Sequence, residues 1–226
     1  MPNSFSLNIP ETPITYHPLL LMISKALSMI DTYEVKGKLN WDVFVGGARI
    51  RKPRAKFIMA LLDIIKPKYT VELGSGATTQ IFGSKVGVKH YSLEHIQKFY
   101  DRTTESLAEL GVDKAEVLLR PLNTETGMYV LNEGDLPKES VDLILIDGPP
   151  YHPLVNGKPK FTRANTLPAL FPYMHQDTVV LLDSTERVPE QEVLVGWVRD
   201  YGIAFENPVR LKGLGVIDPW ASTRDQ

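Results

Sequence analysis

Cysteine is absent from the 226-residue chain. That absence excludes disulfides, thiolate zinc sites and a cysteine nucleophile together, and it suits a reducing compartment. A long apolar run is also lacking. The longest, Pro18 to Ile30, is interrupted by Ser24 and Lys25 and falls short of the about 20 apolar residues that cross a bilayer. Met1 to Pro10 has no basic start followed by an apolar stretch, the marks of a secretory signal, so a cytoplasmic protein without a membrane partner is expected. Neither sign of charge dominates: Lys and Arg number 25, Asp and Glu 27, for a net charge of -2. No global basic field draws nucleic acid, which is not expected as a partner. Repeats and low-complexity tracts are missing too.

What remains is 43% hydrophobic and 23% charged, an ordinary globular composition in a chain long enough to bury a core unaided. Its texture changes near Lys66-Pro67. Residues 1–66 read as a helical N-terminal extension, in which Leu19, Leu20, Ile23, Leu27 and Ile30 form one amphipathic stripe and Phe57, Ile58, Leu61, Leu62 and Ile65 a second. These stripes suit packing on a sheet, a homodimer face or a lid over a substrate. The basic stretch Arg49 to Lys56 is either a solvated helix start or a contact for an anion.

Residues 67–226 alternate short apolar runs with helical patterns. Strands are predicted at Tyr69 to Leu73, Lys89 to Glu94, Glu116 to Leu119, Val141 to Asp147, Thr178 to Asp183, near Ala204, and at Leu214 to Ile217. Helices are predicted from about Thr78, at Gln97 to Leu110, Asn165 to Tyr173 and Glu190 to Tyr201. The expected fold is α/β: a doubly wound, Rossmann-like, mostly parallel seven-stranded sheet with helices on both faces.

In such a sheet ligands sit beyond the carboxyl ends of the strands. Glu72, Glu94, Asp147 and Asp183 all fall at or beside strand ends, where an acid is costly without a partner or a ligand. Any one of them could instead cap a helix or pair with a basic side chain. Gly74 and Gly76 let the main chain approach a ligand, and the helix that follows points amides at the same place. Glu94, about 20 residues on at the next strand end, suits the hydroxyls of a ribose.

The order Glu72-Leu73-Gly74-Ser75-Gly76, then Ser92-Leu93-Glu94-His95, then Leu145-Ile146-Asp147-Gly148-Pro149-Pro150 resembles the class I S-adenosylmethionine-dependent methyltransferases. More narrowly it is similar to a bacterial group that continues with Arg163, Leu167-Pro168-Ala169-Leu170 and Leu181-Leu182-Asp183, from about Phe57 to Ile217. The resemblance implies S-adenosyl-L-methionine as cofactor. It implies that Glu72, Gly74 and Gly76 contact its methionine end with Ser75 and Thr78 adjacent. Glu94 would hold the ribose, and His95 or Ile96 would border the adenine. Asp147 would sit beside the reactive methyl and face the acceptor.

Candidate bases are Asp147 and His152, with Tyr151 and Arg163 as orienting groups. His152 is otherwise an ordinary loop histidine, and Arg163 either binds an acidic substrate group or pairs with Asp147 or Asp183. Catechol-type relatives place a magnesium on acids matching Asp147 and Asp183 plus an amide. Ser184 replaces the amide, so no metal is expected. The expected reaction is methylation of an oxygen on a small molecule or glycan, since the Asn-Pro-Pro-Tyr arrangement that holds a planar amine is replaced by Asp147-Gly148-Pro149-Pro150-Tyr151. A nicotinamide-dependent oxidoreductase is the first alternative, but its third glycine is replaced by Thr79. A non-catalytic binding module is the second.

Overall fold

The computed structural model describes residues 18–33, 50–150 and 163–224. Two helices come first. α1, Pro18–Met29, turns Leu19, Ile23 and Ala26 inward and leaves Leu20 outward. α2, Lys52–Ile65, carries Pro53 in its first turn, where a missing N–H costs nothing, and stops at Lys66, whose φ of 53° is left-handed.

The α/β body follows as β1 (Tyr69–Leu73), α3 (Ala77–Gly83), β2 (Lys89–Glu94), α4 (Gln97–Leu110), β3 (Ala115–Leu119) and β4 (Val141–Ile146). After it come α5 (Thr166–Leu170), β5 (Met174–Asp183), α6 (Val188–Tyr201), β6 (Ala204–Glu206), β7 (Leu214–Asp218) and α7 (Ala221–Arg224). The helix expected over Asn165 to Tyr173 is broken. Only Thr166–Leu170 is α-helical, flanked by 3₁₀ turns at Arg163–Asn165 and Phe171–Tyr173. Pro172 has no N–H to carry the helix on.

The seven strands lie in the order β3-β2-β1-β4-β5-β7-β6. The sheet is mixed, which corrects the mostly parallel arrangement expected. β1, β2, β3, β4 and β5 pair in parallel, whereas β7 is antiparallel to both β5 and β6. The physical reason is the connection between β6 and β7, which is too short for a parallel crossover and therefore reverses the chain. β1 and β4 are neighbours although the chain runs from β1 out to β2 and β3 before it returns. Their carboxyl ends therefore flank the switch point where doubly wound sheets bind ligands.

Successive residues of the central strands face opposite layers. Leu143 and Leu145 of β4, with Val179 and Leu181 of β5, pack under α1, α2 and α3. Ile144 and Ile146, with Val180 and Leu182, pack under α5 and α6. The first two helices thus share one core with the sheet. Leu61 is fully buried in that core, so Leu61→Ala should lower the unfolding free energy by about 3 kcal/mol in urea titration. A loss below about 1 kcal/mol would mean that α2 docks loosely.

Candidate active site

The turn after β1 is built around two close approaches. Gly74 has φ 93°, and a Cβ placed on it would lie 3.2 Å from Gly148 N. A Cβ on Gly148 would collide with the Tyr129 hydroxyl. The β1 and β4 turns therefore touch backbone to backbone. Beneath them Glu72 is fully buried and accepts hydrogen bonds from Thr78, from Thr79 Oγ1 at 2.6 Å and from Ser92 Oγ at 3.1 Å. His90 Nε2 stands 3.5 Å from the same carboxylate. The Thr79 hydroxyl also accepts from Gly76 N at 2.9 Å. The residue that replaces the third glycine of a dinucleotide loop thus ties the loop to its buried acid.

Glu94, at the end of β2, is also buried, and both its oxygens are engaged. Oε2 accepts from Ser75 N and Ser75 Oγ, each at 3.1 Å. Oε1 accepts from His95 N at 2.7 Å and Ile96 N at 2.8 Å, with His95 Nδ1 3.3 Å away. Burial alone would raise its pKa, but the His95 side chain and these main-chain N–H groups outweigh it and hold the carboxyl below its usual range.

On the other side of the loop a cavity of about 590 Å³ opens over β1, β4 and β5. Gly74, Ser75, Gly76 and Thr78 line it together with Asp147, Arg163, Asp183 and Arg54. Half of the Asp147 side-chain surface, 49%, faces the opening. Its position low in the cleft, then the negative charge of Asp183, push its pKa up to about 7, with Arg163 pulling the other way.

Arg163 itself is buried. It donates to the main-chain oxygen of Asp147, to that of Asp183 at 2.6 Å and to Pro149 O at 3.4 Å, and Asp147 Oδ1 lies 3.4 Å off. Its guanidinium is a brace between two strand ends rather than a free hand in the cavity. Arg54, near the start of α2, bonds Asp183 Oδ1, Lys212 O and, at 2.7 Å, Leu211 O.

Of the residues picked out from sequence, Gly74, Ser75, Gly76, Thr78, Asp147 and Arg163 meet at this cavity. Glu72 lies beneath the loop, while Glu94 and His95 lie beyond Ser75. His152 falls outside the described residues. Arg54 was visible only as one charge in a basic stretch, and Tyr129 carried no signal. Among the described residues no group of three or more acids and histidines is arranged to hold a metal, and no helix is long and apolar enough to cross a membrane.

No protein-family model matches the chain, and no curated protein matches it in sequence. Solved structures do match it. The precorrin-6y C5,15-methyltransferase of Geobacter metallireducens is 11% identical with a TM-score of 0.55, over 82% of this chain and 97% of its own. A methyltransferase of Geobacter sulfurreducens is 13% identical with a TM-score of 0.53, over 93% and 90%. The O-methyltransferase TomG of Streptomyces achromogenes, solved in complex with SAM, is 14% identical with a TM-score of 0.51, over 87% of each chain. The fold is that of the Rossmann-like methyltransferases.

The raised pKa of Asp147 has a consequence for stability. The folded protein holds this proton up to about pH 7, whereas the unfolded chain releases it near pH 4. Ionisation of Asp147 therefore opposes folding increasingly as pH rises across that window, and fully above it. Asp147→Asn should raise the melting temperature, and by more at pH 8 than at pH 5. An equal or lower melting temperature at pH 8 would contradict this assignment.

Proposed function

We propose that the chain is an S-adenosylmethionine-dependent methyltransferase acting on an oxygen of a small molecule or glycan. The observation that carries this reading is the sharing of one cavity by the glycine loop and Asp147, a half-exposed carboxyl that titrates near neutrality. The fold it shares with methyltransferases, one of them solved with SAM, supports it.

The residues fit the cofactor. Gly74 and Gly148 let the β1 and β4 turns meet with no side chain between them, and a Cβ on Gly76 would meet nothing within 4 Å, so the main chain of the loop is open there. Glu94, kept ionised, suits the two hydroxyls of a ribose. In this reading Gly74, Ser75, Gly76 and Thr78 border the methionine end, with Glu72 holding the loop from below, and His95 borders the adenine. The bound cofactor supplies a methyl group already activated on a sulfonium.

The protein's own tasks are alignment and removal of the acceptor proton. Asp147 takes that proton from the acceptor hydroxyl, and Arg163 fixes the strand end that carries it. His152, five residues further on, is a second candidate base. Asp183 is already paired with Arg54, so the protein provides the cation there and the reading includes no metal. In the same reading the enzyme works in the cytoplasm, and the outward Leu20 and Leu21 of α1 are the face for a homodimer.

Calorimetry with S-adenosylhomocysteine and with NAD tests the cofactor. Wild type should bind the first, and Glu94→Ala should weaken that binding by about tenfold or more. Binding of NAD alone would favour an oxidoreductase, and binding of neither a non-catalytic module.

With labelled S-adenosylmethionine and a panel of hydroxylated acceptors, Asp147→Ala should cut turnover by about 10²–10⁴-fold while the affinity for S-adenosylhomocysteine holds. The wild-type rate should rise with pH through about 7, because only the deprotonated carboxyl accepts a proton. An unchanged rate in Asp147→Ala would remove Asp147 from the role.

A further inference from the structure

The cavity over β1, β4 and β5 has a second wall that the cofactor reading does not use. Arg51 and Arg54 line it from the start of α2, and Ser184, Glu186 and Arg187 from the turn between β5 and α6. With Arg163 this makes four arginines against three acids, Asp147, Asp183 and Glu186, and Asp147 holds its proton up to about pH 7. The whole chain has a net charge of -2, so the positive balance belongs to the cavity. A cleft with apolar walls concentrates such a charge, and Ile50, Ile58, Leu145 and Leu214 supply apolar walls here.

Two of the four arginines are already engaged. Arg163 grips the carbonyls of the β4 and β5 ends, and Arg54 is taken up by Asp183, Leu211 O and Lys212 O. The other two are open to a ligand. Arg187 is fixed by one ion pair, from Nη2 to Oε1 of the buried Glu190 at 2.9 Å, and 47% of its side chain is exposed. A guanidinium has five N–H donors, so most of that fork is unused. The Arg51 side chain is exposed and has no hydrogen bond or ion pair among the described residues. Arg51 and Arg187 are also the N-cap residues of α2 and α6, and neither helix has a side-chain cap. A cation at that end opposes the helix dipole, a cost that an anion in the cavity would offset.

We infer that the methyl acceptor carries an oxyanion, a carboxylate or a phosphate, which Arg51 and Arg187 bind while its hydroxyl faces Asp147. The inference rests on the methyltransferase reading above and narrows its substrate class to hydroxylated acids. A neutral glycan would leave both guanidinium groups unmatched.

Calorimetry on the protein saturated with S-adenosylhomocysteine tests it. The probes are salicylate, mandelate and glycerol phosphate, each beside its neutral counterpart, salicylamide, mandelamide or glycerol. At least one acid should bind, and about tenfold or more tighter than its counterpart. Binding confined to glycerol phosphate identifies the oxyanion as phosphate, and binding confined to the other two as carboxylate. Arg51→Gln and Arg187→Gln should each raise the Kd of that acid about tenfold and leave the Kd of S-adenosylhomocysteine unchanged. Arg187→Gln also unpairs Glu190, so if it fails to fold the exposed Arg51→Gln decides. Equal binding of acid and neutral counterpart would overturn the inference. So would a loss of affinity for S-adenosylhomocysteine in these variants, which would assign the arginines to the cofactor's own carboxylate. If wild type binds S-adenosylhomocysteine but none of the acids, only this inference fails. If it does not bind S-adenosylhomocysteine, the methyltransferase reading fails and this inference with it.

Discussion

The site depends first on one buried guanidinium. Arg163 spans the ends of β4 and β5, with the carbonyl oxygens of Asp147 and Asp183 on one fork. A charge out of water is tolerated only where its donors are met, so both strand ends are held at the spacing the guanidinium sets. The brace is anchored from behind as well. Thr166 Oγ1 donates to Arg163 O at 2.6 Å, Trp197 Nε1 donates to Ala164 O at 2.8 Å, and Glu190 stands 3.8 Å from Nη1. α5 and α6 are thereby joined to the cavity floor, and Arg163 grips Asp147 chiefly through its main-chain oxygen, with Oδ1 3.4 Å away.

From that frame follows the contrast between the two acids on either side of the glycine loop. Glu94 is surrounded by N–H groups and stays ionised. Asp147 faces a second carboxyl across a cleft and holds its proton until near neutrality. One side chain is suited to receive hydrogen bonds without changing state, the other to exchange a proton. The division comes from neighbours, not from residue type.

Much of the frame was legible in the sequence. The solid apolar centre of Val141–Ile146 marked a strand covered on both faces, and β1, β2 and α4 have the bounds that their apolar patterns indicated. Strand direction was not legible, because periodicity reports burial and says nothing of whether β7 runs with or against β5. Nor was the fate of Glu72, whose partners Thr78, Thr79 and Ser92 come from two separate elements. Arg54 belonged to a run of charges that looked like a solvated helix start, and the carbonyls of Leu211 and Lys212, with the Asp183 carboxylate, turn it inward. Tyr129 sits in a stretch without regular period, and a lone tyrosine there says nothing until Gly148 is found beside it.

The bond from Arg54 to Leu211 also sets an order of events at the ribosome. The two residues are 157 positions apart, so at roughly 5–20 residues per second the guanidinium waits on the order of ten to thirty seconds for its acceptor to be made. During that interval α2 can settle on the early strands, but Asp183 and the final hairpin have yet to arrive. The cavity is therefore among the last parts of the molecule to close. A nascent chain stalled before residue 211 would carry nearly all of the cavity's lining but not the two carbonyls that hold Arg54 in its wall.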